Sequence, residues 1–276
     1  MNLKHYFNRI GYVGPVDPTL ECLSGIHQCH ALTIPYENLD IQMRRRVDLD
    51  EERIFEKIVT KKRGGWCYEQ HVLFLWVLKE IGFDAKLVTS AVERREHGDE
   101  MIGNHTSILV ELDQVYLADL GLGDGIRLPI PFCEGTYSQG SLTFQLIKVD
   151  GYCRFLNHSF SNPTNFDLTS EAADYELLIR KCDHLQSSPD SEFVQNLVCQ
   201  IMQADSITCL TGRVLRHKTA AGQTKKLINQ DQFEATLYDV FGISDPDAAS
   251  IWPKVAARHH LLFGDQTIND INYQGF

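Results

Sequence analysis

The chain has 276 residues, 43% of them hydrophobic and 23% charged, which are ordinary values for a globular protein with a sizeable core. Its formal net charge of −11 creates a field that repels phosphate backbones, so nucleic-acid binding is not expected. No apolar run approaches the roughly 18 residues of a membrane helix, and the first residues lack the apolar core of a signal peptide. We therefore expect a cytoplasmic protein that binds neither nucleic acid nor membranes.

The cysteine pattern indicates reduced thiols. Eight cysteines are irregularly spaced, without a Cys-x-x-Cys pair and without a preceding secretory signal. The densest group of possible metal ligands, Cys22, His27, Cys29 and His30, lies in one amphipathic stretch. Packing in a core explains this group more simply than a metal centre. We expect no disulfide framework and no metal.

The first eighty residues are predicted to be helical. One helix covers about 18–32, and a second is capped by Asp48 or Asp50 and has its apolar residues at helical spacing. The pair Gly64–Gly65 ends that helix. A third helix covers about 67–82 and ends at a glycine that suits a helix C-terminus.

Residues after the third helix change to the pattern of strands. Segments 85–92, 106–112 and 115–120 are dense in Val, Ile and Leu, and a glycine-rich loop follows at 121–125. Further short strands and turns are expected in 126–160. These strands come after the helices rather than alternating with them.

The last third of the chain is predicted to be mixed. Helices are expected over about 171–182 and again from Ser191, and a hairpin is expected from 210–216 and 224–228. Asp231 is predicted to cap a final helix through Val240. Helices, then strands, then a mixed end indicate the α+β class rather than a wound α/β sheet.

Cys67 is a candidate nucleophile because it begins a predicted helix. The two glycines before it allow close backbone approach, and the unpaired N–H groups of a helix N-terminus stabilise a thiolate. Arg63 and Lys62 are expected to lower the thiol pKa further. The alternative is a cysteine that only packs in the core.

A nucleophilic cysteine needs a base, and His71 and His105 are the two candidates. His71 is one helical turn beyond Cys67. His105 opens a strand, and Asp119 ends the next strand, where a carboxylate needs a partner. A plain two-residue turn would place His105 and Asp119 on opposite faces of the sheet. Their pairing therefore predicts an odd-length turn or a bulge between the two strands.

The sequence resembles the arylamine N-acetyltransferase family over about residues 5–240. The motifs that carry this resemblance are Tyr6-Phe7-Asn8-Arg9-Ile10-Gly11-Tyr12, Ile34-Pro35-Tyr36-Glu37-Asn38-Leu39, Arg63-Gly64-Gly65-Trp66-Cys67-Tyr68-Glu69, His105 with Leu109-Val110, Tyr116 to Gly123, and Ser187 to Ser191 with Phe193. Their order and spacing agree with the family throughout. His71 and Leu122 are departures, since many members have Asn and Phe there.

The resemblance implies a helical bundle over 1–83, a β-barrel over 84–190 and an α/β lid over 191–276, with a cysteine-protease-like catalytic core. It assigns Cys67, His105 and Asp119 as the catalytic residues and makes His71 the less favoured base. It also implies transfer of an acetyl group from acetyl-CoA to an arylamine, arylhydrazine or arylhydroxylamine. The implied mechanism is ping-pong, through an acetyl-cysteine.

Binding residues are less clearly indicated by the resemblance. The loop residues Gly123, Asp124 and Gly125 are candidates for contact with acetyl-CoA. The candidates for the acceptor pocket are Trp66, Tyr36 and Leu122. The expected partner is a small aromatic amine or hydrazine, and the protein is expected to be a monomer or a homodimer.

Three other functions remain open at this point. The altered pocket at Leu122 also fits an amide synthase of the same family that uses a larger or carrier-bound acyl donor. Amide hydrolysis or transglutamination would use the same order of Cys, His and Asp. A binding protein without activity is the last alternative, and retention of all three catalytic residue types argues against it.

Overall fold

The computed structural model describes residues 1–264 together with residues 266, 268 and 271. The α-helices of this part of the chain are α1 (Leu3–Ile10), α2 (Leu20–Thr33), α3 (Leu39–Gln42), α4 (Glu51–Phe55), α5 (Cys67–Ile81), α6 (Arg94–His97), α7 (Tyr175–Ser187), α8 (Glu192–Gln195), α9 (Gln230–Phe241) and α10 (Trp252–Phe263). The strands are β1 (Tyr36–Glu37), β2 (Asp84–Val92), β3 (His105–Glu111), β4 (Val115–Ala118), β5 (Ile130–Pro131), β6 (Gly135–Gln139), β7 (Leu142–Val149), β8 (Tyr152–Leu156), β9 (Asn165–Ala172), β10 (Val198–Met202), β11 (Ser206–Thr211), β12 (Val214–Thr219) and β13 (Gly222–Leu227). This order confirms the predicted α+β class.

The predicted N-terminal helices are confirmed, and their ends have clear causes. Thr19 caps α2 by accepting a hydrogen bond from the Cys22 N–H, and Asp50 caps α4 in the same way for the Arg53 N–H. After α4 the chain continues as a wider helical turn over 56–60. Helix α5 ends at Gly82, whose φ of 103° is a conformation that glycine adopts without strain.

Two predictions for the last third of the chain are wrong in detail. Residues 171 and 172, predicted as helix, belong to β9, and α7 begins only after Asp174, which caps it by accepting from the Leu177 N–H. The final helix α9 is capped by Asn229 rather than by Asp231. Asn229 accepts from the Gln232 N–H at 3.1 Å and its own N–H donates to the Gln232 side chain at 3.1 Å.

The predicted hairpin exists, but its first strand was misplaced. β12 pairs with β13 from Val214↔Leu227 to Thr219↔Gly222, so the turn is at 220–221. The segment 210–216 instead contains the end of β11, a turn and the start of β12. The cause is a second tight turn at 212–213, where Gly212 has a φ of 56°.

β2 to β9 form an eight-stranded antiparallel sheet that curves into a nearly closed barrel. Its strand order is β5-β4-β3-β2-β9-β8-β7-β6. β3 and β4 pair from Ile108↔Ala118 to Glu111↔Val115, which leaves three residues in the connecting loop. This odd-length turn was predicted. In this register position 107 faces position 119, so His105 and Asp119 point to one face of the sheet.

A second antiparallel sheet joins the two ends of the chain. Its order is β1-β10-β11-β12-β13, so a strand from the helical region pairs with strands that follow residue 197. The core beneath this sheet contains Leu39 together with Phe233, Leu237 and Trp252. The division of the chain at 83/84 and 190/191 stays a prediction. None of the helices that the structure describes has the length and apolar character required to cross a bilayer.

Candidate active site

Cys67 is the first residue of α5, and only 3% of it is exposed. The two glycines before it permit very close packing. A Cβ on Gly64 would lie 2.1 Å from the carbonyl oxygen of Pro35, and a Cβ on Gly65 would lie 2.9 Å from Glu69 Cβ. Any other residue would displace this loop and, with it, the nucleophile.

A buried ion cluster fixes the same loop. Arg63 Nη2 lies 2.7 Å from Glu37 Oε1 and 3.5 Å from Asp40 Oδ1, and Arg63 Nη1 donates to Asp245. Arg45 binds Asp245 at 2.7 Å from outside. The charge of Arg63 is therefore compensated by carboxylates. The prediction that Arg63 lowers the pKa of the Cys67 thiol is wrong for this reason.

The position of Cys67 at the start of α5 does not lower the pKa of its thiol. Burial raises the pKa of the Cys67 thiol well above its usual range, and the Tyr68 N–H at the start of α5 opposes this only in part. A thiolate in this position therefore needs a proton acceptor in contact with it. Cys67 Sγ lies 4.0 Å from the carbonyl oxygen of Asn104, next to the first residue of β3.

His105 and Asp119 are buried and hydrogen-bonded to each other. His105 Nε2 is 2.9 Å from Asp119 Oδ2, and the Ser107 hydroxyl donates to the same oxygen at 2.7 Å. The other oxygen, Oδ1, accepts from the Gly121 N–H at 3.0 Å. Burial alone would raise the pKa of Asp119, but the neighbouring imidazoles and the hydrogen bonds outweigh it and hold that pKa below its usual range. Asp119 is thus a carboxylate acceptor that orients the His105 ring.

Gly121 brings the nucleophile and the histidine together. A Cβ on Gly121 would lie 2.9 Å from both Cys67 Cβ and His105 Cε1, and 2.4 Å from His71 Cε1. Because both atoms lie 2.9 Å from the same point, Cys67 Cβ and His105 Cε1 are separated by at most twice 2.9 Å. Because Nε2 of His105 is bound to Asp119, Nδ1 is the nitrogen left for the thiol.

His71 is a neutral side chain within this network and not a base beside the thiol. Its Nε2 accepts from the Leu120 N–H at 3.0 Å, so Nδ1 carries the proton and donates to Thr106 Oγ1 at 2.9 Å. Burial lowers the pKa of His71 to about 3. One ring nitrogen therefore binds the turn that follows Asp119 and the other binds β3, so neither is left for the thiol.

A cavity of about 560 Å³ opens above the nucleophile. It is lined by Cys67 and His105, and by Tyr36 and Leu122 from the predicted acceptor pocket. Trp66, the third predicted pocket residue, is not part of this lining: it is fully buried, with its ring against Tyr68 and Phe193. Trp66 therefore packs behind Phe193, which does line the cavity.

The three loop residues predicted to contact acetyl-CoA also lie outside the lining of this cavity. The Asp124 carboxylate is fully buried and accepts from His158 Nε2 at 2.8 Å, with Arg127 Nη1 3.5 Å away. That side chain is directed into the interior, and a contact of this residue with acetyl-CoA stays a prediction. Gly123 and Gly125 keep the loop close to its neighbours, and main-chain contact there stays a prediction.

Two features of the site were missed by sequence reasoning. Ser107 binds the same Asp119 oxygen as His105 does, and its place two residues after His105 was a signal that could have been used. Gln200 lines the cavity from β10, and no local pattern pointed to it. In the described part of the chain no cluster of His, Cys, Asp and Glu could hold a metal ion. His27 and His30 instead bond to Arg127 O and to Tyr6 and Gln70.

Comparison with known proteins agrees with this geometry. A family model described as N-acetyltransferase matches residues 19–248. The pineal gland isozyme NAT-3 of arylamine N-acetyltransferase from Gallus gallus is 32% identical, over 88% of this chain and 94% of its own length. Arylamine N-acetyltransferase 1 of Bos taurus is 28% identical over the same shares.

Solved structures show the same likeness. The arylamine N-acetyltransferase of Mycobacterium abscessus superposes with a TM-score of 0.84 at 27% identity, covering 93% of this chain and 95% of its own. The enzyme of Mycobacterium marinum, solved in complex with CoA, has a TM-score of 0.83 at 27% identity, with 93% and 98% covered. The fold is that of these acetyltransferases. The chain belongs to the arylamine N-acetyltransferase family.

Proposed function

We propose that the protein transfers the acetyl group of acetyl-CoA to an arylamine, arylhydrazine or arylhydroxylamine by a ping-pong mechanism through acetyl-Cys67. The observation that carries this proposal is the meeting of Cys67 and His105 at Gly121, with Asp119 bound to the far nitrogen of the imidazole. The relative solved with CoA supports the choice of donor. A cavity of about 560 Å³ is also within the range of roughly 300–1,000 Å³ that is usual for small-molecule sites.

In the first half-reaction His105 Nδ1 takes the proton of the Cys67 thiol as the sulfur attacks the thioester carbonyl carbon. The tetrahedral intermediate collapses, the bond to the CoA sulfur breaks, and that sulfur leaves with the proton from His105. Asp119 keeps the proton on Nε2 and stabilises the imidazolium that forms. The products are acetyl-Cys67 and free CoA.

In the second half-reaction the acceptor amine enters the same cavity and attacks the carbonyl carbon of acetyl-Cys67. His105 takes a proton from the attacking nitrogen and returns it to the Cys67 sulfur as the carbon–sulfur bond breaks. Both half-reactions therefore use one base and one nucleophile. Enclosure by Tyr36, Leu122 and Phe193 limits the access of water to the acyl-enzyme.

Intact mass of the protein after mixing with acetyl-CoA tests this function. We expect wild type to gain one acetyl group, Cys67→Ala to gain none, and the matched variant Cys133→Ala, which lacks an exposed thiol, to behave as wild type. The absence of an acetyl adduct on wild type, or an equal adduct on Cys67→Ala, would contradict the proposal. An adduct that forms only with longer acyl thioesters would favour the amide synthase.

A further inference from the structure

Two polar side chains in the cavity wall have no hydrogen-bond partner among the residues that the structure describes. Gln200 is 4% exposed and Tyr36 is 7% exposed, and both line the cavity above Cys67. Neither side chain makes a hydrogen bond to any residue in the described part of the chain. Their polar atoms are not among the buried side-chain atoms that lack a partner, so they face the open space of the cavity and are accessible to a ligand that enters it.

Strand pairing places these two side chains next to each other. Tyr36 in β1 lies directly opposite Gln200 in β10, so both project from the same face of the sheet. Gly123 gives them room: it has a φ of 72°, and a Cβ there would lie 1.9 Å from Gln200 Oε1 and 3.0 Å from Tyr36 Cβ. The carboxamide is therefore held against the loop that also contacts the nucleophile.

Neighbouring positions of one loop adjoin the pair and the cysteine. Gly121 adjoins Cys67, and Gly123 adjoins Gln200. Two residues of chain span at most about 7 Å, so a small aromatic molecule in the cavity is long enough to reach from one position to the other. An acceptor whose amine points to acetyl-Cys67 can therefore direct its far substituent to Gln200.

The chemistry of the wall favours a neutral substituent. A carboxamide and a phenol each donate and accept hydrogen bonds, and burial raises the pKa of Tyr36 well above its usual range, so it stays a neutral phenol. The lining of the cavity carries four carboxylates, those of Glu93, Glu100, Asp190 and Glu192, against one ammonium group, that of Lys181. An acceptor with its own carboxylate is repelled by this lining.

We propose that Gln200, assisted by Tyr36, is a specificity-determining residue that selects aromatic acceptors with a hydroxyl or carboxamide group opposite the reacting amine. This inference rests on the proposed function, because it requires the acceptor to enter the cavity of acetyl-Cys67. Gln200 acts on the second half-reaction, where it binds the acceptor during attack.

The test measures kcat/KM for para-aminophenol and para-toluidine, which differ by a hydroxyl and a methyl group. Gln200→Leu and Tyr36→Phe are compared with two exposed matched controls, Gln223→Leu and Tyr238→Phe. We expect Gln200→Leu to lower the ratio of the phenol to the toluidine about five- to tenfold, as loss of one hydrogen bond predicts. Both controls should keep the wild-type ratio.

Each outcome supports or overturns the inference. An unchanged ratio in Gln200→Leu overturns it, and so does an equal loss of both acceptors. If Gln200→Leu does not fold, Tyr36→Phe, which loses one oxygen, decides by the same ratio. Wild type should also use para-aminobenzamide better than the nearly isosteric para-aminobenzoate, and the reverse order overturns the neutral preference. Acetyl-Cys67 formation, recorded by mass, separates these failures from failure of the proposed function.

Discussion

Asp119→Asn should prevent His105 from acting as the base while leaving the shape of the site almost unchanged. Asp119 accepts three hydrogen bonds: from His105 at 2.9 Å and Ser107 at 2.7 Å on one oxygen, and from the Gly121 N–H at 3.0 Å on the other. If the amide oxygen stays on Gly121, its NH₂ group faces His105. The imidazole must then move its proton to Nδ1, the nitrogen that has to accept the thiol proton.

The opposite orientation of the amide keeps the proton on Nε2 but is disfavoured. It would set the NH₂ group against the Gly121 N–H, which costs about 1–3 kcal/mol for unpaired buried donors and shifts the glycine between Cys67 and His105. The same change in a Ser-His-Asp triad lowers kcat by about 10⁴. We therefore expect acetyl-Cys67 to form about 10³–10⁴ times more slowly, a change of roughly 4–5.5 kcal/mol in the barrier.

Two assays measure this effect. Quenched-flow mass analysis gives the rate of acetyl-Cys67 formation, and iodoacetamide gives the pH dependence of thiol reactivity. Wild type should stay reactive well below pH 8.5, because His105 can hold the thiol proton, whereas Asp119→Asn should react only as an unassisted buried thiol. Asp113→Asn, an exposed change in the β3–β4 loop, is the matched control. An acetylation rate within tenfold of wild type, in a variant that melts normally, would refute the reasoning.

Two further predictions concern stability. Burial lowers the pKa values of His27, His30 and His71 to about 4, 3 and 3, so the unfolded chain binds more protons below pH 6.5. The free energy of unfolding is therefore highest above pH 6.5 and falls with pH, by up to about 4 kcal/mol per pH unit between pH 6 and 4 for the three histidines together. Urea unfolding of wild type and of His71→Asn measures this dependence. Equal slopes of unfolding free energy against pH in the two proteins would contradict the prediction. Asp245→Ala removes one carboxylate from Arg63, which keeps Glu37 and Asp40, and the lost charged hydrogen bond should cost about 1.5–3 kcal/mol. The exposed pair removed in Arg46→Ala should cost at most about 1 kcal/mol, and similar losses in the two variants would argue against the ion cluster.

Local patterns in the sequence predicted the geometry of the candidate site well. The glycine pair before a helix start indicated Cys67, and the face requirement for His105 and Asp119 predicted the three-residue turn between β3 and β4. Both inferences depend on residues that are near in sequence or on adjacent strands. Their geometry is set by local rules of backbone and register.

Long-range contacts explain what the sequence did not reveal. Arg63 was expected to act on the thiol, but its partners, Glu37 and Asp245, are distant in sequence and compensate its charge. Gln200 reaches the cavity only because β10 pairs with a two-residue strand far upstream. The choice of Asn229 over Asp231 as helix cap had a different cause, since both residue types are good caps and only the backbone decides between them.

The pairing of β1 with β10 has a consequence for synthesis on the ribosome. Tyr36 emerges early, and until Gln200 has been translated its strand can pair only with the Gly65 segment, so the edge of β1 that later pairs with β10 stays open in the meantime. The nucleophile, the histidine and the aspartate all precede that point in the chain. The wall of the cavity is therefore completed late, only after residue 200 has been translated.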